Sequence, residues 1–305
     1  MEHHPRRRLL LASGAVLLAM AAGACSAAGQ GHGPRQAEAA TGAEHNLTHS
    51  TGAASAGGLP SGHVHGVARN RADGLVYLAT HDGLFQIRED AAPARIGPVI
   101  DLMGFTVAGP NHFYASGHPG PGVDLPNPVG LIQTTDGGRT WTPLSRQGQS
   151  DFHTLTSSPG GIVGFDGEQM AATSDGRTWR QLTSPAGAHA VAAAPDDTAL
   201  LVTSPSGLSR SVDQGATWQQ LPTPLLPQLV AFADTTTVVA VAPDGQVAVS
   251  DDSAATWKVR AGVGTRPYAV GAHRGEDGGL EILAVTGTGL VRSTDNASTF
   301  TPYGR

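Results

Sequence analysis

The sequence predicts an all-β fold, a six-bladed β-propeller, and three observations carry that prediction. One short motif recurs five times along the chain. Its copies are spaced by about forty residues, the length of a four-stranded blade. The composition suits short strands and tight turns: of 305 residues 41 are Gly and 21 Pro, 39% are hydrophobic and only 14% charged. Such a chain is too apolar for disorder and too interrupted for long helices.

The first element, residues 1–24, reads as an export signal. Arg6-Arg7-Arg8 precedes the apolar run Leu9 to Ala22, and Gly23-Ala24-Cys25 follows. A basic start, a short apolar run and small residues before a cleavage point describe a secretory signal. The run is shorter than the roughly 20 apolar residues that span a bilayer. Ala22-Gly23-Ala24-Cys25 resembles a bacterial lipobox, so Cys25 is expected to be lipidated and to tie the protein to the outer side of the cell membrane. The Arg-Arg-x-Leu-Leu core also resembles a twin-arginine export signal. Cys25 is the only cysteine, which excludes intrachain disulfides and thiolate zinc clusters.

Residues 25–60 are rich in Ala, Gly, Ser, Thr and His without apolar periodicity. They cannot bury enough surface to offset their conformational entropy and are expected to form a flexible tether. The propeller is then assigned to 61–305. The formal charge is −6, the only lysine is Lys258, and removing residues 1–24 would strip three more arginines and one Glu. Without a basic footprint the chain is not expected to bind nucleic acid.

Five segments define the blades: Thr134-Thr-Asp-Gly-Gly-Arg-Thr-Trp141, Thr173-Ser-Asp-Gly-Arg-Thr-Trp179, Ser211-Val-Asp-Gln-Gly-Ala-Thr-Trp218, Ser250-Asp-Asp-Ser-Ala-Ala-Thr-Trp257 and Ser293-Thr-Asp-Asn-Ala-Ser-Thr-Phe300. This is the Asp-box, Ser/Thr-x-Asp-x-Gly-x-Thr-Trp/Phe. The second copy is one residue short, and Ala254 and Ala297 replace Gly in the last two. Asp136, Asp175, Asp213, Asp252 and Asp295 stand 39, 38, 39 and 43 residues apart. The box Asp is expected to close a hairpin turn by accepting backbone N–H bonds, a structural and not a catalytic task. An unboxed unit from His63 to Ile87 supplies a further blade. The blades are expected to start near residues 63, 105, 152, 189, 228 and 267.

Blade geometry sorts the polar residues. The start of the innermost strand and the end of the second lie on one face, and the boxes lie on the other. His63 and His65 start blade 1, and His81 with Asp82 ends its second strand. His118 ends the second strand of blade 2 and opens the long loop that holds Asp124. Asp151 and His153 start blade 3, Asp166 ends its second strand, and His189 starts blade 4. These histidines are the candidate ligand site, with His63, His65, His81, His118 and His153 as metal ligands. Imidazoles beside carboxylates, without thiolates, suit one transition metal ion such as Zn or Cu. Because neutral imidazole is the ligand form, binding is expected to weaken towards about pH 5.

His63-Val-His-Gly66, Ala79-Thr-His-Asp-Gly-Leu84, Gly117-His-Pro-Gly-Pro-Gly-Val-Asp-Leu-Pro-Asn-Pro128 and Asp151-Phe-His153 together resemble a family of secreted bacterial Asp-box (BNR) propeller lipoproteins. That family carries the label glycosyl hydrolase or exo-alpha-sialidase-like, and the resemblance implies a sialidase-like propeller over 61–305. The machinery of true sialidases does not follow: Arg95-Ile-Gly-Pro98 is a poor copy of their Phe/Tyr-Arg-Ile-Pro motif. Among the propeller arginines only Arg266 starts an inner strand, and Tyr268 has no evident glutamate partner. Three functions are therefore expected in descending order. The first is a monomeric module binding a metal, small molecule or glycan through the His-rich face. The second is a glycoside hydrolase using carboxylates among Asp124, Asp151 and Asp166. The third is an envelope assembly scaffold.

Overall fold

The computed structural model describes residues 58–60 and 63–304, and these form strands and turns without a helix. The expected export signal 1–24, Cys25 and all but the last residues of the expected tether lie outside the described residues. Leu59 already packs in a core cluster beside Tyr303.

Twenty-four strands fall into six antiparallel sheets of four, each sheet built from consecutive strands. Blade 1 comprises β1 (Val64–Arg69), β2 (Val76–Thr80), β3 (Gly83–Ile87) and β4 (Ala94–Ile96). Blade 2 comprises β5 (Ile100–Gly109), β6 (His112–Pro119), β7 (Leu131–Thr134) and β8 (Thr142–Ser145). Blade 3 comprises β9 (Thr154–Ser158), β10 (Gly161–Phe165), β11 (Met170–Thr173) and β12 (Arg180–Leu182). Blades 4, 5 and 6 run from β13 (Val191–Ala193) to β16 (Gln219–Leu221), from β17 (Leu229–Phe232) to β20 (Lys258–Arg260), and from β21 (Pro267–Arg274) to β24 (Thr301–Pro302). The predicted six-bladed propeller is the fold observed.

Blade 2 begins five residues before the expected Phe105. The alternation Ile100, Leu102, Gly104 is buried while Asp101 between them is only half-buried, so the strand starts at Ile100.

The boxes do the turn work expected of them. In the first, Asp136 Oδ1 accepts the Thr140 N–H at 3.0 Å, and its Oδ2 accepts the Thr140 hydroxyl at 2.7 Å. Asp213, Asp252 and Asp295 repeat both bonds with Thr217, Thr256 and Thr299. Ala254 and Ala297 adopt the same left-handed turn, at φ 69° and 57°, with their methyls fully buried.

Each box aromatic then fills the seam with the preceding blade. Trp141 packs against the cluster that holds Leu84 and Phe113, Trp218 against that of Val163 and Val202, and Trp257 against that of Leu201 and Val238. Trp179 stacks on Phe152 with ring centroids 4.8 Å apart. Apolar burial at these seams helps to hold adjacent sheets together.

The ring closes without sharing a strand between its first and last blades. Blades 6 and 1 meet through Val76, Leu283, Leu290 and Tyr303. Arg69 of β1 adds a paired contact to Glu281 of blade 6, with Nε–Oε2 at 2.6 Å and Nη2–Oε1 at 2.5 Å. Arg292 reaches back to Glu89 at 2.5 Å.

Candidate metal centre at the channel mouth

Blades 1, 2 and 3 bring seven ligand-type side chains to the face opposite the boxes. On blade 1 the strand pairing slips between Val64 and Gly66, which leaves His65 at an irregularity in the ladder. Such bulges re-aim a side chain. The ring of His65 lies 4.7 Å from that of His81, which sits in the turn after β2. His63 is exposed, with its ring 4.8 Å from His81.

Asp101 and His118 are direct partners across β5 and β6. Asp101 Oδ2 stands 3.5 Å from His81 Nδ1. One ligand atom from each of His65, His81 and Asp101 lies within 4.8 Å of the others.

Blade 3 supplies the other half. Asp151 Oδ2 is 3.1 Å from His118 Nε2 and 3.0 Å from His153 Nε2. Phe152, between the two and just before β9, turns inward instead. There its ring is 1% exposed, and its N–H donates to Ser116 Oγ at 2.9 Å. Gly164 admits that ring: a Cβ on Gly164 would stand 2.6 Å from it. A buried aromatic thus anchors the two ligand positions flanking it.

Burial and crowding set the charges. Burial, then the neighbouring His81, His63 and His153, lowers His65 to about 4, so it is a neutral imidazole with a free lone pair at neutral pH. Burial raises Asp101 against the opposing pull of His81 and His118. Burial also raises Asp151, but the hydrogen bond from His153 and the charges of His118 and His153 outweigh it, and the net shift is downward. The hydrogen bond to Asp151 raises His153. Three atoms of this cluster, His65 Nε2, Asp101 Oδ1 and Asp151 Oδ1, are buried without a hydrogen-bond partner. Unsatisfied polar atoms in such positions are costly unless a ligand or solvent meets them.

The structure therefore brings together His63, His65, His81, His118, Asp151 and His153 from the expected set and adds Asp101. His189 lies elsewhere, within 3.1 Å of Gln228 Nε2, and burial followed by the Arg266 charge lowers its pKa. Asp124 is exposed in its loop. The residue that this loop delivers is Asn127, whose Oδ1 is 2.6 Å from His118 Nδ1. Asp166 spends one oxygen on the N–H groups of Glu168 and Gln169, at 3.0 and 2.7 Å, closing a turn beside His153.

Two hollows lie away from this chemistry. One, of about 570 Å³, is the box-side end of the central channel around Arg69, Gly109 and His273. The other, of about 330 Å³, is a groove between blades 3 and 4 beside Trp179.

Fold and site together define a six-bladed propeller with a histidine–carboxylate cluster at one end of its channel. No protein-family model and no curated protein matches the chain; the likeness is to solved structures. YCF48 bound to D1 peptide is 18% identical, over 80% of this chain and 83% of that one, at a TM-score of 0.49. YCF48 from Cyanidioschyzon merolae is 14% identical over 77% of this chain and 96% of that one, at 0.48. The extracellular domain of the hybrid two component system BT4673 from B. thetaiotaomicron is 11% identical at 0.54, over 80% of this chain. This chain spans 33% of that protein's chain. At these identities the likeness is one of fold.

Proposed function

We propose that the protein is an exported, lipid-anchored propeller that binds a transition metal, zinc or copper, at the mouth of its channel. One observation carries the reading: one ligand atom from each of His65, His81 and Asp101 lies within 4.8 Å of the others, and His65 and Asp101 each carry a buried side-chain atom without a hydrogen-bond partner. Metal–nitrogen and metal–oxygen bonds of about 2.0–2.2 Å need only a slight closure of that triangle. Imidazole and carboxylate donors without thiolate select Zn²⁺ or Cu²⁺ over alkaline-earth ions. The export signal and Cys25 supply the location and the anchor.

The test is metal uptake by chelator-stripped protein, dialysed against Zn²⁺ or Cu²⁺ and measured by elemental analysis. Wild type should retain metal after desalting. His65→Ala combined with His153→Ala should abolish retention while the circular dichroism spectrum stays unchanged. A double variant that keeps its metal overturns the reading.

A second reading has its own support. Burial shifts Asp101 up while His153 and His118 hold Asp151 down, the same direction of separation that glycoside hydrolysis uses between its two carboxylates. Turnover of aryl glycosides that disappears in Asp101→Asn would favour it. Wild type inert on a panel of such substrates would exclude it.

A further inference from the structure

The seam between blades 3 and 4 is open where others are bridged. We propose that its groove, of about 330 Å³ on the box face, binds a small organic cation, an ammonium group carried on an apolar body. The site lies at the other face of the ring from the histidines and is independent of the metal-binding reading.

The opening follows from one position of the repeat. The residue just before the box is Arg210 in blade 4 and Arg292 in blade 6. Each crosses to the next blade, where Arg210 Nη1 donates to the Ser253 carbonyl at 3.3 Å and Arg292 Nη1 to Glu89 at 2.5 Å. Blade 5 has Val249 there, 1% exposed in a cluster shared with blade 6. Blade 3 has Ala172, and a methyl group does not span the seam. The volume left unfilled is a groove lined by Ala172 and Val163 of blade 3 and by Ala193 and Leu200 of blade 4. Its rim is apolar as well. The second box residue is polar in Thr135, Ser174, Asp251 and Thr294, but here it is Val212, which is 72% exposed.

The inner end of the groove carries a charge without a partner. At the seam of blades 1 and 2 the turn residue Asn111, at φ 58°, accepts from Asn70 Nδ2 at 2.9 Å. At the seam of blades 5 and 6 the turn residue Asp234 pairs with Arg274 at 2.5 Å. Asp197 holds the matching turn of blade 4, also left-handed at φ 63°, but it faces Gly160 across the seam. A Cβ on Gly160 would stand 2.8 Å from Asp197 Oδ1. Glycine has no side-chain donor, and among the described residues the Asp197 carboxylate has no hydrogen bond or ion pair. The other charged side chain lining the groove, Arg180, donates from Nη2 to the Gln214 carbonyl at 3.0 Å. A lone carboxylate beside an apolar floor selects a ligand that brings both positive charge and apolar surface.

Hexylammonium is the probe, and 1-hexanol is its uncharged match. In two-dimensional amide spectra of the full-length protein, hexylammonium should shift the signals of Ala172, Leu200 and Val212 saturably. Hexanol should bind about tenfold more weakly or worse, and so should hexylammonium to Asp197→Asn, since each lacks one charge-assisted contact. Ala172→Arg, which gives blade 3 the crossing side chain of blade 4, should abolish binding without lowering Tm. The absence of saturable shifts at these amides in wild type overturns the proposal. Hexanol binding as tightly as hexylammonium, or unchanged affinity in Asp197→Asn, overturns it too. Should Ala172→Arg misfold, the comparison of the two probes on wild type decides alone.

Discussion

Gly117 meets the backbone of Asp101 so closely that a Cβ built on it would stand 1.8 Å from the Asp101 carbonyl oxygen. Its φ of 145° is one that side chains rarely adopt. The glycine thereby sets the seating of Asp101 and of its own neighbour, His118. Gly117→Ala should shift both ligands, lower Zn²⁺ affinity by roughly tenfold or more, and leave the far blades intact. Unchanged affinity by calorimetry would show that this contact does not position the site.

Phe152 links stability to the site. Phe152→Ala opens a hollow beside Trp179, Leu131 and Ile162 and should cost about 3–5 kcal/mol. Because Asp151 and His153 flank it, metal retention should fall with it. Phe152→Leu, which keeps most of the volume, should recover much of both. Denaturant melts paired with metal analysis read the two effects on one sample.

The box aspartates should behave oppositely. Asp213→Ala removes the bonds from the Thr217 N–H and hydroxyl, at 2.9 and 2.6 Å, on the face away from the histidines. Tm should fall by a few degrees, with zinc uptake unchanged. A variant of normal Tm that has lost its metal would assign the box a role in binding.

Acid should weaken the contact where blades 6 and 1 meet. Burial raises Glu281, but hydrogen bonds from His273 and Arg69 outweigh it and hold its carboxyl down at about 2, below the ordinary 4.5. Its folded pKa is depressed, so its contribution is complete above about pH 5 and is lost as the pH falls through 2. That contribution is on the order of 2 kcal/mol once solvent screening is allowed for. Asp136, Asp213, Asp252 and Asp295, each near 2, add the same sign. Tm measured in metal-free buffer should decline steadily from pH 5 to pH 2, and less steeply in Glu281→Gln. An equal slope in the variant would remove Glu281 from the account.

Cys25→Ser should move the protein from the membrane fraction to the soluble one. Equal solubility of wild type would end the lipoprotein assignment.

The fold was legible because its signal is local and repeated. Four tryptophans and a phenylalanine at one box position mark five blades, and alternating strands reveal the sixth. The histidines were legible too, since blade geometry alone sends His65, His81, His118 and His153 to one face. Asp101 was not. A strand start misplaced at Phe105 hid it, although the alternation of Ile100 and Leu102 around it carried the signal. Asn127 was hidden for another reason: it reaches His118 through a loop whose path no periodicity specifies. The separation of His189 from the cluster likewise depends on side-chain partners, Gln228 and Arg266, that lie 39 and 77 residues along the chain.

Because every blade is one unbroken stretch of chain, and because Leu59 and Tyr303 share one cluster, the ring has no privileged starting point. A short peptide joining residue 304 to residue 58 would let the polypeptide be cut at any other inter-blade loop. A circular permutant opened between blades 4 and 5 would keep blades 1, 2 and 3 contiguous, and with them every histidine and carboxylate of the proposed site. One opened between blades 1 and 2 would divide His65 and His81 from the rest in sequence while leaving them neighbours in space. Comparing the two would separate what the site owes to chain order from what it owes to the closed circle.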